Sequence, residues 1–176
     1  MAHYLRNFLH RRPLIMLATA LVLSGCTALP LRPTTTPQPT AEPAYNFTLA
    51  ALTGESITLA DLRGRWVIVN FWATWCAPCR AEMPYLQQLA QTHTDTLVVL
   101  GINMREEPAE IAPFVEELGL TFPILLNPTN EMLLWYSPRG LPLTSVIAPN
   151  GVAAYRQYGP LEPAPFDVWL AEQLSP

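Results

Sequence analysis

Phe71-Trp72-Ala73-Thr74-Trp75-Cys76-Ala77-Pro78-Cys79-Arg80 is the stretch that decides how this chain folds. The run leading into it, Trp66–Phe71 (WVIVNF), is apolar but for Asn70, as expected of a central strand buried on both faces. From Cys79 to about Gln91 the spacing is helical, with Met83, Leu86 and Leu89 on one side. A C-x-x-C set between a buried strand and a helix is the arrangement of a redox dithiol. Cys76 falls at the helix N-terminus, where free N–H groups and the macrodipole favour the thiolate, which is the attacking species in disulfide exchange. Cys79, one turn deeper, is placed to resolve a mixed disulfide formed at Cys76. Two other readings of the pair are weaker. A purely structural bridge closing so short a loop removes little unfolded-state entropy, against about 3 kcal/mol for a 15-residue loop. A zinc site needs about four ligands. Beyond the pair, the chain after its first 25 residues offers Cys26 and His93 only.

Strands and helices alternate outward from this stretch. Asn46–Leu52 and Ser56–Leu62 alternate in polarity around Thr53-Gly54-Glu55, which predicts an N-terminal hairpin. Thr96–Ile102 reads as a second buried strand. Pro108–Leu118 reads as an amphipathic helix with Ile111, Phe114, Val115 and Leu118 inward. Ile124–Leu126 is a short strand and Glu131–Tyr136 a short helix. Leu143–Ala148 and Val152–Tyr158 flank the turn Pro149-Asn150-Gly151 as a hairpin, and Pro165–Leu174 closes as a helix. This order predicts an α/β fold with a mixed central sheet flanked by helices.

The chain has 176 residues, half of them apolar, which suits one compact domain with extensions. With a net charge of −4, nothing in the composition suggests a nucleic-acid partner. All ten basic residues are Arg, and three of them (Arg6, Arg11, Arg12) precede the apolar run Pro13–Leu23. That run is too short to span a bilayer comfortably and reads as a targeting segment. It ends in Leu23-Ser24-Gly25-Cys26, which resembles the lipobox of bacterial lipoproteins. The resemblance implies a diacylglyceryl group on Cys26 and cleavage just before it, and two or three acyl chains anchor durably where one does not. Thr27–Ala44 holds ten Pro and Thr in eighteen residues and reads as an extended tether. The expected organisation is therefore a signal peptide at 1–25, a lipidated Cys and tether at 26–44, and one folded domain at 45–176.

NFWATWCAPCRAEMP resembles the active-site segment of the TlpA/ResA-like thioredoxin family, which are membrane-tethered extracytoplasmic reductants. The similarity continues through GINMREEP, FPILLNP and GLPLTSVIAPNG. It implies a thioredoxin-like fold with an N-terminal hairpin and an inserted helix and strand, and a catalytic pair, Cys76 and Cys79, needing no cofactor and no metal. Glu82, three residues after Cys79, matches the family's active-site acid, which tunes the thiols and relays protons. Asn70 stands six residues before Cys76, where thioredoxin carries a buried Asp; an amide cannot ionise, so Glu82 is left as the acid. Pro142 resembles the cis-proline that faces the pair, with the backbone of Leu141 free to bind an extended substrate. Leu143 departs from the Thr usual after that proline. Trp75 is expected as an exposed partner contact, Trp72 as core and His93 as a surface residue.

The family implies clients with disulfides among exported proteins, including the C-x-x-C of apocytochromes c, and re-reduction by a membrane carrier of CcdA or DsbD type. Two alternatives fit less well. Peroxiredoxins place a single Cys in a T-x-x-C segment, whereas here the Cys is doubled and Thr74 stands at another spacing. Copper chaperones of related fold carry C-x-x-x-C and a distant His, and neither is present.

Overall fold

The computed structural model describes residues 42–175. The expected Cys26, signal segment and most of the tether lie outside them. The described chain runs through the strands β1 (Thr48–Ala50), β2 (Ser56–Thr58), β3 (Trp66–Trp72), β4 (Leu97–Asn103), β5 (Ile124–Leu125), β6 (Leu143–Ile147) and β7 (Ala153–Tyr158). The helices are α1 (Ala77–Thr92) between β3 and β4, α2 (Pro108–Glu117) after β4, α3 (Asn130–Tyr136) after β5, and α4 (Pro163–Leu174) at the end. β1 and β2 pair as a separate hairpin, and the other strands form one sheet in the order β5-β4-β3-β6-β7. β3 runs parallel to β4 and antiparallel to β6, so the sheet is mixed, as the sequence predicts. α2 and β5, between β4 and α3, supply the inserted helix and strand, and β5 forms one edge of the sheet.

Alternation along β3 builds two cores. Val67, Val69 and Phe71 point to one face, where the hairpin and α3 pack with Leu49, Leu59, Met132 and Tyr136. Ile68 and Trp72 point to the other, against Met83 and Leu86 of α1, Ile111 and Phe114 of α2, and Phe166 and Leu170 of α4. Gly101 of β4 is where the second core closes most tightly. A Cβ there would lie 2.9 Å from Ile124 Cδ1 and 3.0 Å from Trp72 Nε1, so a side chain at this position would push both neighbours out of place.

The elements follow the predicted pattern with one clear difference. The sequence predicts a strand to Leu62, yet β2 stops at Thr58 and a 3₁₀ turn, Leu59–Leu62, follows. Asn46 Oδ1 accepts the Ala60 N–H at 2.9 Å, and Phe47 C=O accepts the Leu59 N–H at 3.0 Å. Those bonds divert the chain inward and bury Leu59 completely. The turn between β6 and β7 forms as expected. Gly151 takes φ +86°, a conformation that favours glycine, and donates to Ala148 C=O at 2.7 Å.

Candidate active site

The β3 chain ends at Trp72, crosses Ala73-Thr74-Trp75, and enters α1 with Cys76 as its N-cap. Pro78 in the first turn has φ preset for a helix and lacks an N–H that the turn could not bond anyway. Cys76 Sγ accepts the Cys79 N–H at 3.2 Å, and the Cys76 N–H is held by Ala73 C=O at 3.2 Å. Cys76 and Cys79 are joined by a disulfide, their Cα atoms 5.2 Å apart. Cys79 is wholly buried. Cys76, the outer of the two, keeps 4% of its surface exposed. Trp75 beside it is 71% exposed, while Trp72 is wholly buried with its ring 4.9 Å from that of Phe114.

Behind the pair lies a buried polar cluster. Glu82 is three residues past Cys79 and so on the same side of α1. Its Oε1 accepts from Asn70 Nδ2 at 2.7 Å, and its Oε2 accepts the Leu161 N–H at 2.8 Å, in the connection before α4. Asn70 Nδ2 also donates to Thr144 Oγ1 at 3.0 Å, across the β3–β6 pair in which the two residues are partners. Burial raises the Glu82 pKa to about 7, against the two hydrogen bonds, which act to lower it. Asn70 Oδ1 meets no partner among the described residues. With its amide turned over, that oxygen would accept a proton-bearing Glu82, so the same three side chains serve both forms of the acid.

Leu141 and Pro142 precede β6 and are joined by a cis peptide. Leu143 pairs with Phe71, which brings this segment to the end of the sheet where the Cys76 loop leaves β3. Pro142 C=O accepts the Gly159 N–H at 2.9 Å. Neither backbone group of Leu141 is taken by another described residue. His93 caps the far end of α1, away from the pair.

The structure thus brings Cys76, Cys79, Glu82, Trp75, Leu141 and Pro142 to one end of the sheet. Sequence reasoning missed Thr144 and the Leu161 N–H, and also Asn103 and Glu106, which reach the same loop from β4. Their one legible signal is position: open α/β sheets bind ligands beyond the C-terminal ends of parallel strands, and GINMREE leaves β4 beside that end of β3.

The comparisons with known proteins agree with this geometry. The thiol-disulfide oxidoreductase ResA of Geobacillus kaustophilus is 39% identical over 109 residues, which are 61% of this chain and 63% of that protein. ResA of Bacillus subtilis is 35% identical over 109 residues, 61% of each chain. The chain thus spans less than two thirds of the length of these curated relatives. Among solved structures, a thiol:disulfide interchange protein of the thioredoxin family from Chlorobium tepidum superposes with a TM-score of 0.69 at 29% identity. It covers 78% of this chain and 98% of its own. StoA from Bacillus subtilis gives 0.61 at 26%, covering 74% and 98%. Matched from residue 40 to residue 156 and built on the same thioredoxin-like sheet, the chain belongs to the AhpC/TSA family.

Proposed function

We propose that this chain is a protein thiol–disulfide oxidoreductase that reduces disulfides in exported proteins. The observation that carries the reading is the Cys76–Cys79 disulfide at the N-terminus of α1, with Glu82 buried one turn behind it. In the reduced protein Cys76 thiolate attacks one sulfur of a client disulfide. A mixed disulfide forms and one client thiolate leaves. Cys79 gives its proton to Glu82 and attacks Cys76 Sγ, releasing the second client thiolate and closing the Cys76–Cys79 bond. Two electrons pass to the client. The backbone of Leu141, unbonded among the described residues, offers with Pro142 an edge for an extended client segment, and Trp75 an apolar contact.

Reduction rather than oxidation is favoured by what surrounds the pair. A strong oxidant needs a greatly stabilised thiolate in its reduced form. No His lies between the cysteines, and an ionised Glu82 would disfavour that thiolate. The reduction potential of the purified domain, read in a glutathione or dithiothreitol buffer, is therefore expected nearer about −270 mV than about −120 mV. A value at the oxidising end would leave exchange chemistry and remove the reductant role.

The relatives named ResA and the doubled cysteine support this reading over peroxide reduction. Thr74, the nearest candidate for a peroxide-binding hydroxyl, is bonded to Glu106. A copper titration of the reduced domain separates the chaperone alternative. The lipobox-like Leu23-Ser24-Gly25-Cys26 supports attachment to the outer face of a bacterial membrane. Apocytochromes c as clients and a CcdA- or DsbD-type donor rest on the likeness to the ResA-like relatives alone. Cys26→Ser is expected to abolish the lipid-bearing mature mass; an unchanged mass would remove the anchor.

A further inference from the structure

We propose that Glu106 is a positioning residue that fixes the loop presenting Trp75 and Cys76 to a protein client. The proposal rests on the oxidoreductase reading and adds a determinant of client binding to it.

β3 and β4 lie side by side and parallel, with Trp72 opposite Asn103, and Met104 N–H extends the ladder to Trp72 C=O at 2.9 Å. The loops that follow therefore leave the sheet together. On the β4 side, Asn103 and Glu106 lock each other. Glu106 N–H donates to Asn103 Oδ1 at 3.0 Å, and Asn103 Nδ2 donates to Glu106 Oε2 at 2.7 Å. Asn103 is wholly buried, so this base is fixed in the core. Arg105 between them takes φ +64°, uncommon for a residue with a side chain. Its guanidinium donates to Asn130 Oδ1 at 2.6 Å and to Pro128 C=O at 3.2 Å, which holds the turn from its outer side.

From that base the Glu106 carboxyl crosses to the β3 loop. Oε2 accepts the Thr74 N–H at 2.8 Å, and Oε1 accepts the Thr74 hydroxyl. Thr74 has no other hydrogen-bond partner among the described residues. Trp75, the next residue, is 71% exposed and has little packing of its own to orient it. Its placement beside Cys76 is set by the turn that Ala73 C=O closes on the Cys76 N–H and, from outside that turn, by one carboxyl group held by the neighbouring strand. The sulfurs themselves are held by α1 and the core, so the clamp governs how a large client docks and leaves the exchange chemistry alone.

Glu106→Ala is expected to raise KM for reduction of a disulfide-bonded protein such as insulin roughly tenfold, the scale of losing hydrogen bonds to a carboxyl group. Its kcat, and its rate with hydroxyethyl disulfide, are expected to stay within about twofold of the parent, since neither needs the Trp75 contact. Glu106→Gln should restore the parent KM. Its amide oxygen can accept from Thr74 N–H and Asn103, and its NH₂ can donate to a hydroxyl turned around. Thr74→Val, which deletes only the hydroxyl half, should fall between. Equal losses with insulin and the small disulfide, or Gln behaving as Ala, would overturn the proposal. A separate measurement needs no activity: amide exchange at Thr74 should speed up in Glu106→Ala while α1 amides stay protected, and an unchanged Thr74 rate overturns the clamp. Failure of the parent protein to reduce either disulfide would instead overturn the oxidoreductase reading, leaving the exchange rates to decide the clamp.

Discussion

Cys79→Ser is expected to accumulate covalent adducts with client proteins, and Cys76→Ser to trap none. The first step joins Cys76 Sγ to a client sulfur, and only a second thiol within reach can undo that bond quickly. Cys79 is that thiol, with its Cα 5.2 Å from that of Cys76 and its amide already bonded to the Cys76 sulfur. Removing it stops the sequence after the bond has formed. Removing Cys76 leaves a thiol with no exposed surface, which a client disulfide does not reach. Either change should lower turnover by roughly 10³-fold or more, as loss of a covalent nucleophile does elsewhere. Non-reducing gels with mass spectrometry of the trapped species read the outcome directly. Alkylation of the reduced protein at mildly acidic pH should label Cys76 first. Adducts on Cys76→Ser instead of Cys79→Ser would reverse the roles.

Glu82→Gln is expected to flatten the dependence of folding stability on pH. In the unfolded chain this carboxyl titrates near 4.5, and in the folded protein burial raises it to about 7. Below pH 4.5 both states hold the proton and the group does not affect the balance. Between 4.5 and 7 the unfolded chain releases the proton while the folded one keeps it. The stability present at low pH is therefore lost as pH rises through 7, by on the order of 3 kcal/mol. That is a large part of the 5–15 kcal/mol typical of a domain (roughly). Glutamine carries no such proton and can bond the Leu161 N–H with its oxygen and a turned Asn70 with its NH₂. Urea unfolding at pH 4, 5.5 and 8 should show the variant near the parent at the lowest pH and increasingly more stable above it. Parallel curves would mean that Glu82 ionises in the fold as freely as outside it.

How far the sequence reveals this arrangement depends on the distance over which a signal acts. WVIVNF and the Met83, Leu86, Leu89 spacing are local, and β3 and α1 begin and end within a residue or two of expectation. C-x-x-C is equally local, and a family likeness singled out Glu82 and Pro142, which lie at the same end of the sheet as the pair. The alternation of Ser56–Leu62 misled because a buried Leu59 suits a strand and a 3₁₀ turn alike. What decides between them is Asn46, fourteen residues before the Ala60 whose N–H it accepts. The partners of the acid are further still. Thr144 stands opposite Asn70 only once the β3–β6 register is set, and the Leu161 N–H arrives from the connection to α4. Glu106 in the sequence is one acid in an acidic stretch; only the pairing of Trp72 with Asn103 turns it toward Thr74.

The first described residues are stitched to the fold at a telling place. Glu42 C=O accepts the Ala153 N–H at 3.0 Å, and Ala44 N–H donates to Gly151 C=O at 2.9 Å, beside the turn between β6 and β7. That turn follows Ile147, which pairs with Val67 near the start of β3, whereas Cys76 follows the end of β3. A mechanical load applied through the preceding chain would therefore enter at the opposite pole of the sheet from the sulfur pair. Its line of force would open the Glu42 and Ala44 bonds before it reached the Trp75 loop.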